Sequence, residues 1–307
     1  MTTVTFLGPA GTFTEAALLD MAGLAPLAGA GLDPVPVDSP AAALGAVRRG
    51  AADYACVAIE SSVDGPVTST FDALTAGPEL QIYRETEIDV AFSILVRPGA
   101  DSAAVRSFAA HPVALPQVRQ WLDAHLPGVE LHHASSNAAA AHRVAEGAID
   151  ACAAPARAGE LLGLAELAAD VADVRGARTR FVLVGRPGPV PARTGRDRTG
   201  VSFTLPNRPG TLLDALTEFA VREVNLSRIE SRPTREAMGA YRFHVDIIGH
   251  LADAPVRGAL AALHRRAEDL RFLGSWPAHA PGPADAPPPD VTESLAWVDA
   301  LADGGRR

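Results

Sequence analysis

Apolar positions along the first 185 residues fall into short runs that alternate between two-residue and helical spacing. Residues 2–7 read as a β-branched and aromatic strand, Gly8 to Gly11 as a turn, and Thr14 to Leu19 as the start of a helix. Thr12 and Glu15 have capping-box spacing, in which hydroxyl and carboxylate each satisfy an orphan amide of the first turn. Ser39-Pro40 caps a second helix, and Asp53 leads into the strand YACVAIE. Further along, the spacing predicts a strand over 88–96, a helix over 102–110 and a helix over 116–125. A strand over 129–133, a helix after Ser135-Ser136-Asn137 and a strand over 150–155 follow. An alanine- and leucine-rich helix then runs to Leu167, and a buried strand covers 181–184. Strand-helix alternation of this kind builds open α/β sheets.

The pattern changes after residue 185. RPGPVPARTGRDRT at 186–199 has the composition of a linker, and 200–276 reads strand, helix, strand, strand, helix, strand, the ferredoxin-like order. Residues 277–307 are proline-rich and are expected to be mostly disordered, with a short helix around Leu295.

With 307 residues, 48% of them hydrophobic, the chain can bury two or three cores. All 27 basic residues are arginine, which excludes a phosphate-loop lysine, a Schiff-base lysine holding pyridoxal phosphate and a lysine general base. The net charge of -9 argues against nonspecific nucleic-acid binding but leaves room for an anionic small molecule held by local donors. Cys56 and Cys152, the two cysteines, lie in apolar runs and read as buried thiols of a reducing compartment. The N-terminus lacks signal-peptide features and no window is apolar enough to span a bilayer, so a soluble, cytoplasmic protein with no membrane partner is expected. The nine histidines are scattered, neither HExxH nor CxxC occurs, and the GPAG turn lacks dinucleotide-binding spacing. Neither a metal nor a nucleotide cofactor is expected.

Small polar groups recur at the expected helix starts: Thr12 and Thr14, Ser61 and Ser62, and Ser135, Ser136 and Asn137. Free amides at helix N-termini attract carboxylates or phosphates, and short hydroxyls add donors without bulk. Each group is also an ordinary cap, so both readings stand. In Arg178-Thr179-Arg180-Phe181, two cations flank a threonine just before a buried strand. The segment is either a solvated turn or a fixed hydroxyl in a cationic field, able to donate to a departing oxygen.

Five segments, GPAGTFTEAA at 8–17, AIESSVDGPV at 58–67, HPVALPQ at 111–117, SSNAAAA at 135–141 and ARTRF at 177–181, together resemble the prephenate dehydratase family, of the monofunctional actinobacterial type. NRPGTLLDAL at 207–216 and NLSRIESRP at 225–233 are similar to its regulatory ACT domain. The resemblance implies an α/β fold: a bilobal, periplasmic-binding-protein-like catalytic domain over 1–185, then a ferredoxin-like α+β ACT domain over 200–276. Lobe one would take 1–75 and 160–185, and lobe two 76–159, with substrate between them. It implies a cofactor-free lyase that converts prephenate to phenylpyruvate, water and carbon dioxide for phenylalanine synthesis. Thr179 matches the acid donor to the leaving hydroxyl; Thr12, Ser61, Ser62, Gln117, Ser135, Ser136 and Asn137 match substrate-binding positions. Arg180 would hold a substrate carboxylate by a bidentate contact, with a structural ion pair as the alternative. Ser61 stands where the family has asparagine, so the amide donor of that position is absent here. The ACT resemblance further implies feedback by L-phenylalanine and a homodimer or tetramer joined through these domains. One wall of the effector site would be Asn207, Pro209, Gly210, Thr211 and Leu212, and the other Glu230, Ser231, Arg232 and Pro233.

Overall fold

A computed structural model describes residues 1–29, 31–235, 238–279 and 285–302. The chain divides into two compact units, Met1–Pro78 with Glu85–Arg186, and Glu79–Arg84 with Pro187–Arg307.

The first unit begins β1 (Thr2–Leu7), α1 (Phe13–Met21), β2 (Leu32–Val37), α2 (Pro40–Arg48), β3 (Tyr54–Ser61), β4 (Gly65–Pro66), α3 (Thr68–Thr75) and β5 (Gln81–Asp89), the last counted in this unit from Glu85 onward. It continues β6 (Ser93–Val96), β7 (Ser107–Ala110), α4 (Arg119–His125), β8 (Glu130–His133), α5 (Asn137–Ala145), β9 (Ala151–Ala154), α6 (Ala156–Leu162), β10 (Ala165–Ala168) and β11 (Arg178–Gly185). Two sheets result, one ordered β2-β1-β3-β11-β5 with β4 paired to β3, the other β10-β6-β9-β7-β8. The chain passes between them twice. These crossings lie side by side, with the Val90 amide donating to Ala177 O at 2.7 Å and the Val171 amide to Phe92 O at 3.0 Å. This is the bilobal arrangement that the family resemblance implies. Its crossings fall later than the sequence placed them: β5 belongs to the first sheet and β10 to the second, so residues 76–89 leave lobe two and 165–168 join it.

Three local expectations are corrected. The 88–96 run is not one strand; it breaks where the chain leaves β5 for β6. The 102–110 helix is a single 3-10 turn, Ser102–Ala104, capped by the Asp101 carboxylate, followed by β7. Phe108 and Ala109 are fully buried between parallel neighbours, so the helix propensity of alanine gives way to a central strand position. The helix expected to reach Leu167 stops at Leu162 because Gly163 takes the left-handed conformation, φ 64°, that ends helices.

Each lobe has its own core. Phe6, Leu18, Met21, Phe181 and Leu183 anchor the first, and Phe92, Ile94, Phe108 and Val118 lead one of the clusters in the second. Phe13 packs on both and meets Phe92 edge-on, with centroids 5.7 Å apart. Cys56 in β3 and Cys152 in β9 are both buried. Burial pushes both thiols up, that of Cys152 to about 12.

The second unit contains β12 (Asp197–Thr204), α7 (Thr211–Ala220), β13 (Leu226–Pro233), β14 (Tyr241–Ile248), α8 (Ala254–Arg266), β15 (Asp269–Pro277) and α9 (Thr292–Ala302). Its sheet order, β13-β14-β12-β15, is the ferredoxin-like one read from the sequence. Val201, Phe203, Phe219, Val245 and Leu263 fill the layer between sheet and helices. The expected linker over 186–199 is shorter, since β12 begins at Asp197. In its described part the tail carries α9 around Leu295, where the sequence placed a short helix, and Asp285 pairs with Arg198 at 3.6 Å. Residues 280–284 and 303–307 of that expected disorder lie outside the described residues. Among the described residues no helix is long and apolar enough to cross a membrane.

Candidate active site

The N-termini of α1 and α5, one from each lobe, open onto one cavity of about 130 Å³ lined by Thr12, Phe13, Thr14, His111, Ser135, Ser136, Asn137 and Ala138, with Leu7 behind. Thr12 caps α1, its hydroxyl accepting from the Glu15 amide at 3.1 Å and donating to Leu7 O at 2.9 Å. The capping box closes differently from expectation, because Glu15 Oε2 accepts from Gly11 N at 2.8 Å, one residue before the cap. The same oxygen accepts from Arg157 Nε at 3.3 Å, tying α1 to the start of α6 in the other lobe. Ser136 caps α5 by accepting from the Ala139 amide at 3.1 Å. Replacing Ser136 with alanine should therefore cost about 1 kcal/mol of stability, measurable by urea unfolding, with midpoints unchanged if the cap carries no load.

The first two amides of each helix, those of Phe13, Thr14, Asn137 and Ala138, have no acceptor within their helices. Beside them Asn137 Oδ1 accepts from the His111 amide at 2.9 Å, which turns the Asn137 NH2 group outward from that bond. His111 Nδ1 accepts from Val113 N at 3.3 Å, so the ring carries its proton on Nε2. Burial is the largest influence holding the His111 imidazolium below its usual pKa, so the neutral ring dominates at pH 7. The cavity thus offers neutral, oriented donors and two helix dipoles, an environment for a carboxylate that needs no arginine in its lining.

A second cluster forms at the paired ends of β3 and β11. Thr179 stands opposite Ser61, and the pairing slips by one residue between Arg180 and Phe181, a bulge beside the site. Ser62 clamps the strand end: its amide donates to Arg178 O at 2.8 Å and its hydroxyl accepts from Arg178 N at 2.9 Å. Ser61 Oγ accepts from the Val63 and Asp64 amides, both at 3.2 Å, and its proton reaches Asp64 Oδ2 at 3.3 Å. The hydroxyl of Ser61 is therefore engaged in shaping the turn. Gln117, 7% exposed, reaches across from the second lobe and donates to Asp64 Oδ2 at 2.7 Å. Among the described residues the Thr179 hydroxyl, by contrast, has no hydrogen-bond partner.

Thr12, Ser135, Ser136 and Asn137 thus meet at one cavity, and Ser61, Ser62, Gln117 and Thr179 lie in the other cluster; Thr179 does not line the cavity. The loop from His111 to Gln117 joins them. Arg180, 5% exposed at its side chain, is held between Glu60 at 2.9 Å and Glu85 at 3.2 Å. Of the two roles open to it, the geometry holds the ion pair. Thr14, named among the helix-start donors, lines the cavity with them. His111 and Asp64 complete the site without having been singled out; both lie inside matched motifs, but nothing local to them signals that they face a cleft.

In the second unit, Asn207, Gly210, Thr211 and Leu212 line a cavity of about 280 Å³ with Tyr241 and Phe243. Pro209 and the Glu230–Pro233 stretch of β13 do not line it, so one chain supplies only one of the two expected walls. Gly239, at φ 82°, keeps the rim open: a Cβ there would stand 2.8 Å from Asn207 Nδ2.

Comparison with known proteins agrees with this arrangement. The sequence pattern of the family described as Prephenate dehydratase matches residues 4–189, and that of the ACT domain matches 199–265. Proteins named prephenate dehydratase from Mycobacterium tuberculosis and Mycobacterium marinum are 54% and 53% identical over 308 and 307 positions, covering 99% of this chain and 95% and 97% of theirs. The crystal structure of prephenate dehydratase from Arthrobacter aurescens in complex with L-Phe superposes with a TM-score of 0.85 at 43% identity, covering 99% of this chain and 100% of that one. GqqA, described as a novel type of quorum quenching acylase, superposes at 0.77 with 31% identity over 90% of this chain and 98% of its own. Sheets, cleft and family pattern coincide, and the chain belongs to the prephenate dehydratase family of carbon-oxygen lyases, with a C-terminal ACT domain.

Proposed function

We propose that the chain converts prephenate to phenylpyruvate in L-phenylalanine synthesis in the cytoplasm, without a cofactor, and that L-phenylalanine regulates it through the ACT domain. The observation that carries this reading is the meeting of two helix N-termini, from different lobes, on one cavity. The substrate has two carboxylates. One leaves as carbon dioxide and the other, on the pyruvyl side chain, does not react. Tight binding belongs with the unreactive one, because holding the departing group equally well stabilises the ground state too. The amides of α1 and α5, with Ser135, Asn137 and His111, take that role.

In the reaction the bond from the ring to the departing carboxylate breaks and its electron pair enters the ring. The ring carbon to hydroxyl bond breaks with its pair on oxygen, and a proton converts the leaving hydroxide to water. Aromatisation supplies most of the driving force, so a threonine hydroxyl needs only to donate a hydrogen bond as charge develops on that oxygen. Thr179 has such a hydroxyl to spare. The enzyme's share is orientation and preorganised dipoles.

Incubation with prephenate alone should yield phenylpyruvate; no product sinks the reading. An N-acyl homoserine lactone serves as the contrasting substrate. Thr12 and Ser136 use their hydroxyls in capping and the two cysteines are buried thiols, so none of these four groups is arranged as a base-activated nucleophile for acyl transfer.

For regulation, α7 opens at Gly210, φ 86°, with no side-chain cap; the Thr211 amide turns back to Arg208 O at 3.4 Å, and the amides of Leu212 and Leu213 are left for the carboxylate of an amino acid. The absent second wall, Glu230 to Pro233, is assigned to the ACT domain of another copy, in a dimer or tetramer. L-phenylalanine should lower turnover at concentrations where L-tyrosine does not, and size-exclusion chromatography should show an oligomer. No response to L-phenylalanine removes the effector site, and a monomer at assay concentration removes its shared form.

A further inference from the structure

Gln117 carries two acceptors on its amide nitrogen, Asp64 Oδ2 at 2.7 Å and Val113 O at 3.4 Å. A carboxylate and a carbonyl only accept, so the opposite amide orientation would set oxygen against oxygen twice. Both hydrogens of the NH2 group are therefore engaged, and the end of Gln117 left for a ligand is the oxygen Oε1. An oxygen acceptor has nothing to offer a carboxylate. It suits a hydroxyl.

What fixes this orientation comes from the other lobe. Asp64 sits in the tight connection between β3 and β4, where Gly65 has φ 77° and Ser61 pairs with Gly65. The Ser61 hydroxyl takes the Val63 and Asp64 amides and donates to the same Oδ2 that receives Gln117. The carboxylate is thus anchored at its own backbone and side chain before it meets the amide.

We infer that Asp64 is a positioning residue: it holds Gln117 across the cleft with Oε1 presented as an acceptor for the hydroxyl of the substrate, turning a lone pair of that departing oxygen toward Thr179. This rests on the reading that Gln117 and Thr179 serve prephenate. A carboxylate beside a site for a dianion is otherwise a liability, since like charges repel. Here its charge is taken up by the amide and the hydroxyl that it orders.

The test is steady-state kinetics on the full chain with three variants. Asp64→Ala should lower kcat by about tenfold to a hundredfold with KM nearly unchanged, the cost of a misplaced contact. Asp64→Asn keeps an oxygen acceptor in the same place and should restore kcat to within about threefold of wild type. Because Asp64 acts through Gln117, Asp64→Ala combined with Gln117→Ala should be no slower than Gln117→Ala alone, whereas independent roles would multiply. Far-UV circular dichroism checks that the exposed Asp64 position tolerates each change. Wild-type turnover in Asp64→Ala, multiplicative losses in the double variant, or an Asp64→Asn enzyme as slow as Asp64→Ala overturns the positioning role while leaving the site intact. Wild-type turnover in Gln117→Ala overturns both the role and the assignment of Gln117 to the site.

Discussion

Replacing Thr179 with valine is expected to lower kcat by about two to four orders of magnitude, the span that a positioned proton donor contributes. Valine keeps the branched shape that suits β11, so the strand opposite Ser61 should form as before. The substitution therefore separates chemistry from folding. Thr179→Ser, which keeps a donor on a less restricted side chain, should retain turnover within about tenfold of wild type, since only its orientation is loosened. The prediction follows from a contrast within the site: Thr12, Ser61, Ser62 and Ser136 use their hydroxyls in caps and clamps. Measured kcat on prephenate decides it. Wild-type turnover in the valine variant removes Thr179 from the mechanism, because no other property of that side chain has been altered.

The second large effect is on stability. Arg180→Met should cost about 3–5 kcal/mol, the usual penalty for removing one partner of a buried ion pair. The carboxylate of Glu85 is fully buried at its side chain and that of Glu60 is partly exposed, so the loss falls chiefly on Glu85. Pairing the change with Glu85→Leu should recover a substantial part of that loss, since two apolar groups in contact tolerate burial that a carboxylate deprived of its arginine does not. Urea unfolding of the single and double variants measures both effects. A carboxylate-binding arginine would behave otherwise, leaving the unfolding midpoint in place and raising KM for prephenate.

The sequence was most informative where local chemistry and tertiary packing demand the same thing. The caps at Thr12, Ser39 and Ser136 fall where hydroxyl spacing puts them, and each accepts an amide three residues on. The ferredoxin-like order of the second unit was likewise legible, because its strands alternate and its helices are amphipathic. Legibility failed in the second lobe. There β7, alanine-rich and buried along most of its length, lacks the two-residue period by which a strand is recognised, whereas β9 falls within the strand expected over 150–155. It failed again for Arg180, whose partners Glu60 and Glu85 lie 120 and 95 residues away in the chain and whose pairing no spacing rule announces. Asp64 was hidden for a related reason. It looks like an ordinary turn residue, and its link to Gln117, 53 residues further on, exists only once the two lobes have folded toward each other.

One sequestered thiol resides in each lobe, Cys56 against the first core and Cys152 in the second. Both are protonated at neutral pH and shielded from solvent, so a bulky disulfide reagent reaches either one only through an opening of the surrounding sheet. Nature has thereby left the two halves of the cleft with separate internal clocks, and their modification rates, compared with and without prephenate, report whether ligand steadies both halves together or one alone.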